Sequence, residues 1–152
     1  MAVSFTPKER YTIEDLLEIM RLLRSPEGCP WDREQTHESI RSDFLEETHE
    51  AVEAINLRDA EGLKEELGDV LLQVVFHAQI EAEEGRFDFG DVVDGIAKKL
   101  IVRHPHVFAD ASADSSAQVW ESSDAIRRRT KGGKTQADLL RAEPRSLPAL
   151  MR

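Results

Sequence analysis

Two pairs of acidic residues in this sequence have the spacing that brings both members of a pair onto one face of a helix. Glu47 and Glu50 form the first pair, and Glu66 and Asp69 form the second. Side chains three residues apart leave the same face of an α-helix. A short connection between consecutive long helices favours an antiparallel arrangement, in which the two pairs can face each other. The spacing therefore predicts a cluster of up to four carboxylates.

Such a cluster could bind a metal ion. Neighbouring carboxylates repel one another and raise one another's pKa, and a divalent cation removes that repulsion. Ligation entirely by oxygen suits hard cations such as magnesium, manganese or calcium. A single Glu-x-x-Glu pair is usually no more than a solvated helix face. Two pairs on consecutive helices, beside apolar neighbours, favour a metal site instead.

The residues around the acidic pairs predict helices, because apolar side chains recur at helical spacing and strand signals are nearly absent. Thr12 and Asp15 resemble a capping pair at the start of the first helix. The segment 25–32 contains two prolines and a glycine and is predicted to be a loop. His104-Pro105 is expected to end the fourth helix. Five helices are predicted, with bounds near 12–23, 40–56, 59–85, 89–103 and 120–129.

The predicted third helix is apolar over most of its circumference between Val70 and Phe76. A helix of this kind is buried on several sides, and the chain offers few other helices to cover it. We therefore expect an all-α helical bundle whose core is completed by dimerisation with a second copy. His77 lies on one stripe of this helix with Glu66 and Gln73, but a lone helix histidine is more often a packed or surface residue.

The bulk properties fit one ordinary domain. The chain has 152 residues, of which 40% are hydrophobic and 33% charged, and its net charge is −10. Acidic residues outnumber basic ones by sixteen to four between Glu38 and Asp91, which argues against binding to a nucleic-acid backbone. The apolar stretches are far shorter than the roughly 20 residues of a membrane span, no signal-peptide pattern is present, and one cysteine forms no internal disulfide. We expect a cytoplasmic protein that binds neither nucleic acid nor membrane.

The acidic residues also match a known signature. The pattern Glu-Glu-x-x-Glu, followed after a helical connection by Glu-x-x-Asp, occurs at 46–50 and 66–69 and resembles the signature of the MazG family of nucleotide pyrophosphohydrolases. The resemblance implies an all-α NTP pyrophosphatase domain over 1–143 and a tail or linker over 144–152. Typical members carry two such modules in tandem, so we expect either a one-module member or a shortened chain. Four further stretches resemble the same family: GCPWD at 28–32, EGRFDF at 84–89, RHPHVF at 103–108 and RSLPAL at 145–150.

The resemblance also implies roles for individual acidic residues. The metal would be Mg²⁺, for which Mn²⁺ can substitute. Glu46 and Glu47 match the acids at the catalytic position, with Glu46 either supporting the metal ligands or helping to orient water. The residues that match the metal ligands are Glu47, Glu50, Glu66 and Asp69.

The substrate contacts implied by the resemblance lie further along the chain. Lys99 and Arg103 match the positions that hold the triphosphate, and their i, i+4 spacing places both cations on one helix face; the alternative is an ordinary basic helix end. Trp120 matches an aromatic residue near the nucleotide. The family often has a lysine four residues later, where this chain has Asp124, which leaves Arg127 or Arg128 as the alternative cation.

The expected function is hydrolysis of nucleoside or deoxynucleoside triphosphates between the α and β phosphates. The products would be a nucleoside monophosphate and pyrophosphate, and the purpose would be house-cleaning of the nucleotide pool. Phosphoryl chemistry of this kind needs positioning and charge stabilisation more than a protein nucleophile. The alternatives are a related pyrophosphatase with narrow specificity for dUTP or dCTP, a related pyrophosphatase that acts on phosphoribosyl-ATP, and a non-catalytic helical regulatory dimer.

Overall fold

The computed structural model describes residues 5–109 together with 119, 125 and 126, and the regular structure within 5–109 is entirely helical. The all-α prediction is confirmed. The predicted tail at 144–152 lies outside the described residues, as does the predicted helix around 120–129 apart from 125 and 126. The helices within 5–109 are α1 (Ile13–Leu23), α2 (Pro30–Glu34), α3 (Arg41–Leu57), α4 (Ala60–Glu83), α5 (Phe89–Arg103) and α6 (Pro105–Phe108).

The first helix begins where its capping residues predict. The Asp15 backbone N–H donates to Thr12 Oγ1 at 3.4 Å, and the Thr12 backbone N–H donates to Asp15 Oδ2 at 2.9 Å. These reciprocal bonds satisfy two donors that the first turn of a helix leaves without partners. The predicted capping pair is therefore confirmed.

The prediction of a loop over 25–32 is wrong at its end, because α2 begins at Pro30. Proline has no backbone N–H and a fixed φ, and both properties suit the first position of a helix. Just before it, Gly28 lies against the end of α1, where an added Cβ would stand 2.2 Å from the Leu22 carbonyl oxygen. The glycine and the proline thus turn the chain tightly from α1 into α2.

The connection between α3 and α4 is short. Arg58 adopts a left-handed conformation, with φ of 57°, directly after Leu57 ends α3. Asp59 then caps α4 by accepting a hydrogen bond from the Gly62 N–H at 3.0 Å. The chain reverses within these two residues, so α3 and α4 pack against each other as an antiparallel pair.

The hydrophobic core lies where α4 meets α1 and the segment before α3. Its centre consists of Met20, Ile40, Val75, Phe76 and Ile80. Within one chain the apolar stretch 70–76 of α4 is buried only in part, since Val75 and Phe76 are buried whereas Leu71 is 37% exposed. No helix within the described residues is both long and apolar enough to cross a membrane. The chain divides into two compact units inside α5, at Val93 and Asp94.

A buried arginine ties the end of α1 to α4 and to the segment around α2. Arg24 is 9% exposed, and its guanidinium donates to both carboxylate oxygens of Glu83 at 2.9 and 2.8 Å. It also donates to the backbone carbonyls of Asp32 at 2.5 Å and Gln35 at 3.1 Å. The same group lies 5.4 Å from the centre of the Phe76 ring. Arg24 thus fixes the chain on either side of α2 against the core.

We predict that Arg24→Met lowers the free energy of unfolding by about 1.5–3 kcal/mol, because charge-assisted hydrogen bonds are lost and two carbonyls lose their donor. Urea denaturation should show a lower midpoint with an unchanged slope. Arg21→Met is the matched control, since Arg21 in the last turn of α1 pairs with Glu18 in an exposed ion pair. Equal stability of the two variants would contradict the role assigned to Arg24.

Candidate metal centre

Three carboxylates converge between α3 and α4. Glu47 comes from α3, and Glu66 and Asp69 come from α4. One carboxylate oxygen of each residue lies within 4.8 Å of those of the other two. All three side chains are half-buried. The antiparallel packing of the two helices produces this convergence, because Glu47 and Asp69 stand eleven residues before and after Arg58 in the connection.

The electrostatics of this cluster favour a cation. Removal from water raises the pKa of Glu47, and the charges of Asp69 and Glu50 raise it further. The pKa of Glu66 is raised in the same way, by removal from water and then by Glu50 and Asp69. At neutral pH the ionised carboxylates therefore repel one another in the folded protein. Either protons or a divalent cation can relieve this repulsion.

The donor set fits a hard cation. All three converging groups are carboxylates, which suit magnesium, manganese and calcium rather than softer metals. Two oxygens on opposite sides of a magnesium ion lie about 4.2 Å apart, given bond lengths of about 2.1 Å. The converging oxygens lie within 4.8 Å of one another, which is close to the spacing of ligand oxygens around one ion.

The two other acids singled out from the sequence lie beside the cluster. Glu50 is exposed and lies outside the group of three, yet its charge raises the pKa of both Glu47 and Glu66. Glu46 is also exposed, and its charge acts on Glu47. The structure thus brings together three of the four predicted ligands and places Glu50 within electrostatic range of them.

The predicted phosphate-binding cations lie in the second half of α5. Lys99 is exposed and Arg103 is half-buried, and neither forms an ion pair with any described residue. By contrast, Lys98 next to them donates to Asp94 at 2.6 Å. Lys99 and Arg103 thus carry positive charge on one face of this helix that no acidic residue of the described part of the chain neutralises. Trp120 lies outside the described residues.

A network of histidines was not predicted. His37 Nδ1 lies 2.7 Å from His77 Nδ1, and the two rings are stacked with centroids 5.0 Å apart. The other nitrogen of His37, Nε2, lies 2.6 Å from Glu81 Oε1. Arg86 holds the same carboxylate at 2.5 and 2.9 Å. The hydrogen bonds from Arg86 and His37 lower the pKa of Glu81 to about 2. The only part of this network that the sequence could indicate is the i, i+4 spacing of His77 and Glu81 on one helix. His37 lies 40 residues before His77, so no local pattern connects the two.

Comparison with known proteins identifies the region that holds the cluster. A family model described as the MazG nucleotide pyrophosphohydrolase domain matches residues 35–108. The nucleoside triphosphate pyrophosphohydrolase of Escherichia coli strain K12 is 52% identical over 141 residues, covering 92% of this chain and 54% of that protein. The MazG nucleoside triphosphate pyrophosphohydrolase/pyrophosphatase of Thermotoga maritima is 50% identical over 137 residues, covering 90% of this chain and 52% of that protein. The chain spans about half the length of these two relatives.

The fold agrees with these similarities. The crystal structure of a MazG-related protein from Thermotoga maritima superposes on this chain with a TM-score of 0.63 and 26% sequence identity. The match covers 76% of this chain and 99% of that one. The matched domain contains Glu47, Glu66 and Asp69 at the signature spacing, on two helices that bring them together. The chain carries a MazG nucleotide pyrophosphohydrolase domain and belongs to the MazG family.

Proposed function

We propose that this protein hydrolyses nucleoside triphosphates, including deoxynucleoside triphosphates, between the α and β phosphates. The products are a nucleoside monophosphate and pyrophosphate. The observation that carries the proposal is the convergence of Glu47, Glu66 and Asp69, which forms a site for a cation that can bind phosphates. The names of the relatives in Escherichia coli and Thermotoga maritima support the same activity.

The acidic residues act first by holding the metal. Glu47, Glu66 and Asp69 bind Mg²⁺, or Mn²⁺ in its place, and Glu50 completes the ligand set from its exposed position beside them. When bound, the cation supplies positive charge that polarises the phosphates and stabilises the departing pyrophosphate. Glu46 and Glu47 orient a water molecule for in-line attack on the α phosphorus. Glu46 is suited to this role because it is exposed, whereas Glu47 is half-buried.

The remaining contacts hold the rest of the substrate. Lys99 and Arg103 bind the triphosphate, which is favoured because neither cation is paired with an acid among the described residues. Trp120 contacts the nucleotide. We propose that this activity serves the house-cleaning of nucleotide pools in the cytoplasm and that the protein does not bind nucleic acid. The domain extends over 1–143, with 144–152 as a tail or linker.

The bundle is completed by a second copy of the chain. Several large apolar side chains on the outer surfaces of α3 and α4 are exposed, which is costly for an isolated molecule. Burial against the same faces of a second copy would remove them from water, as in other symmetric dimers. The most exposed of these residues are Leu57, Ile55, Leu67, Leu45 and Val52, at 71%, 57%, 54%, 50% and 46%.

The proposed reaction is tested by measuring pyrophosphate release from the eight common nucleoside and deoxynucleoside triphosphates, and from dUTP and phosphoribosyl-ATP, with and without magnesium. We expect release with magnesium only, and one nucleoside monophosphate for each pyrophosphate. Turnover confined to dUTP, dCTP or phosphoribosyl-ATP would instead identify a related pyrophosphatase with narrow substrate specificity. No magnesium-dependent turnover on any of them would favour a non-catalytic helical module whose acids bind a structural metal.

We predict that magnesium or manganese raises the melting temperature of the wild-type protein, because a ligand that binds only the folded state stabilises it. At a metal concentration of about 100 times Kd the stabilisation is about 2.7 kcal/mol. Differential scanning fluorimetry should show that the shift is lost in the double variant Glu47→Ala, Glu66→Ala. The matched control is Glu53→Ala, Glu61→Ala, which removes one exposed acid from each of the same helices. A full shift in the first double variant would mean that the ions bind elsewhere.

A further inference from the structure

The histidine pair, His37 and His77, joins the segment before α3 to α4. His37 lies four residues before α3 begins, and its Nδ1 atom is 2.7 Å from His77 Nδ1 on α4. Both side chains are half-buried. Ile40, three residues after His37, is 2% exposed and belongs to the hydrophobic core. The contact between the two rings therefore lies where the chain enters both the core and α3.

The two facing nitrogens have room for one proton. The Glu81 carboxylate only accepts hydrogen bonds, so His37 Nε2, which lies 2.6 Å from Glu81 Oε1, carries a proton and donates it. When both rings are neutral, His77 Nδ1 then donates to His37 Nδ1. One added proton goes to the outer nitrogen of His77 and leaves this bond in place. A second added proton puts a hydrogen on both Nδ1 atoms, and two donors cannot stay 2.7 Å apart.

Glu81 fixes the orientation of His37 over the pH range in which histidines titrate. Arg86 donates two hydrogen bonds to the Glu81 carboxylate, at 2.5 and 2.9 Å. These bonds, together with the one from His37, lower the pKa of Glu81 to about 2. The carboxylate therefore stays ionised in mildly acidic solution and keeps accepting the Nε2 proton of His37. A proton added to this network must go to one of the histidines.

The groups that face the pair from α3 and α1 give little support to a second charge. From α3 comes the uncharged ring of Phe44, 5.8 Å from the ring of His77, centroid to centroid. From the end of α1, Arg24 donates to the Gln35 carbonyl, and the charge of Arg24 is paired with that of Glu83. Burial, and then the charge of the partner ring, lower the pKa of His77. The surroundings thus disfavour a charge on both rings at once.

We propose that the histidine pair is an acid-sensitive contact that holds the start of α3 against α4. With no more than one added proton the contact is closed. With two added protons both rings are positively charged donors, and they separate. Because Ile40 follows His37 by three residues, separation also loosens the edge of the core. The proposal does not depend on the proposed function, since it concerns only how the segment before α3 is held on α4.

The stability that this contact contributes should be lost as pH falls. A histidine whose pKa is lowered by folding binds fewer protons in the folded state than in the unfolded chain. Its contribution therefore decreases below the ordinary histidine value of 6.5. The carboxylate cluster has the opposite dependence, because the pKa values of Glu47 and Glu66 are raised. A test has to separate the histidine pair from the cluster.

A double-mutant cycle makes this separation, using the wild type, His37→Phe, His77→Phe and the double variant. Each substitution keeps a ring and removes the titrating nitrogens. The cluster contributes alike to all four proteins, so the cycle isolates the coupling between the two rings. Urea denaturation without metal measures the coupling at about pH 8 and about pH 5, between which histidines titrate. We expect it to favour folding about fivefold at the higher pH, the effect of one hydrogen bond, and to vanish or change sign at the lower pH.

The matched control is His49→Phe, since His49 is exposed on α3 and lies outside the pair. A cycle that combines it with His77→Phe should show the same small coupling at both pH values. A favourable coupling between His37 and His77 that does not change with pH would mean an ordinary packing contact and would overturn the proposal. So would the absence of any coupling at the higher pH.

Amide hydrogen exchange of the unaltered protein gives a second test that does not require the variants to fold. The backbone N–H groups of Ile40 and Phe44 donate to the carbonyls of Thr36 and Ile40, both at 3.3 Å. Their protection factors should fall between about pH 8 and about pH 5. The protection factor of Leu16, whose N–H bonds within α1, corrects for any change in overall stability. A constant ratio between the two sets of amides would reject the acid-sensitive contact.

Discussion

Asp69→Ala is expected to abolish most magnesium-dependent turnover while the helical circular-dichroism signal persists. Loss of a supporting residue around a metal commonly costs 10–100-fold, so loss of a ligand should cost at least about a hundredfold. Glu50→Ala is expected to lose most activity as well, although Glu50 lies outside the converging group of three. Steady-state kinetics on a preferred triphosphate measures both effects. Glu53→Ala is the control, as an exposed acid on the same helix as Glu50.

The stability of the metal-free protein should change in the opposite direction. Removing Asp69 relieves the repulsion that raises the pKa of Glu47 and Glu66, so the variant should melt at or above the wild-type temperature without metal. A raised pKa in the folded state means that the wild type gains stability as pH falls from neutral towards 4.5, the ordinary value of a glutamate. That gain should be smaller in Asp69→Ala. Unchanged turnover in this variant would refute the metal-site assignment.

Arg103→Ala is expected to lower kcat/KM for triphosphates by tenfold to a hundredfold. A hydrogen bond to a charged group contributes about 1.5–3 kcal/mol, and Arg103 is proposed to make such a bond to the phosphates. Discrimination against nucleoside diphosphates should shrink, because only the longer phosphate chain makes the lost contact. Kinetics on a triphosphate and its diphosphate, with magnesium-induced thermal stabilisation measured alongside, checks both expectations. The stabilisation by magnesium should persist, since the carboxylates are intact.

The control for this prediction is Lys98→Ala, in the same turns of α5. Lys98 is already paired with Asp94, whereas Arg103 has no ion pair within the described part of the chain. Lys98→Ala should therefore leave efficiency and selectivity close to those of the wild type. Wild-type behaviour in Arg103→Ala as well would mean that this end of α5 is only a solvated basic surface.

Local sequence rules predicted the helices well, because the signals involved act over one turn. Thr12 with Asp15 and Asp59 with Gly62 are bonds between residues three apart, and each marks a helix start. The same rules led to the wrong assignment of Pro30 as a loop residue. Proline ends a helix when it occurs inside one but is well suited to its first position. The residue type alone does not distinguish these two cases.

The candidate site was predictable to the extent that it depends on spacing along one helix. Glu66 and Asp69 share a face because they are three residues apart, and a short connection to the preceding helix brings Glu47 opposite them. The direction of each side chain is not determined by spacing, which is why Glu50 was expected within the cluster but lies outside it. The contact between His37 and His77 joins residues 40 positions apart, and no local pattern predicts it.

The two-residue turn between α3 and α4 determines how much this site tolerates changes in chain length. Surface connections usually accept insertions, because little depends on their length. Here one inserted residue would rotate the following helix by about 100° relative to the preceding one, and Glu66 and Asp69 would no longer face Glu47. The left-handed Arg58 and the capping Asp59 thus set the alignment of carboxylates that lie about two to three helical turns away. Among relatives of this domain, the length of this connection should be as restricted as the acidic residues themselves.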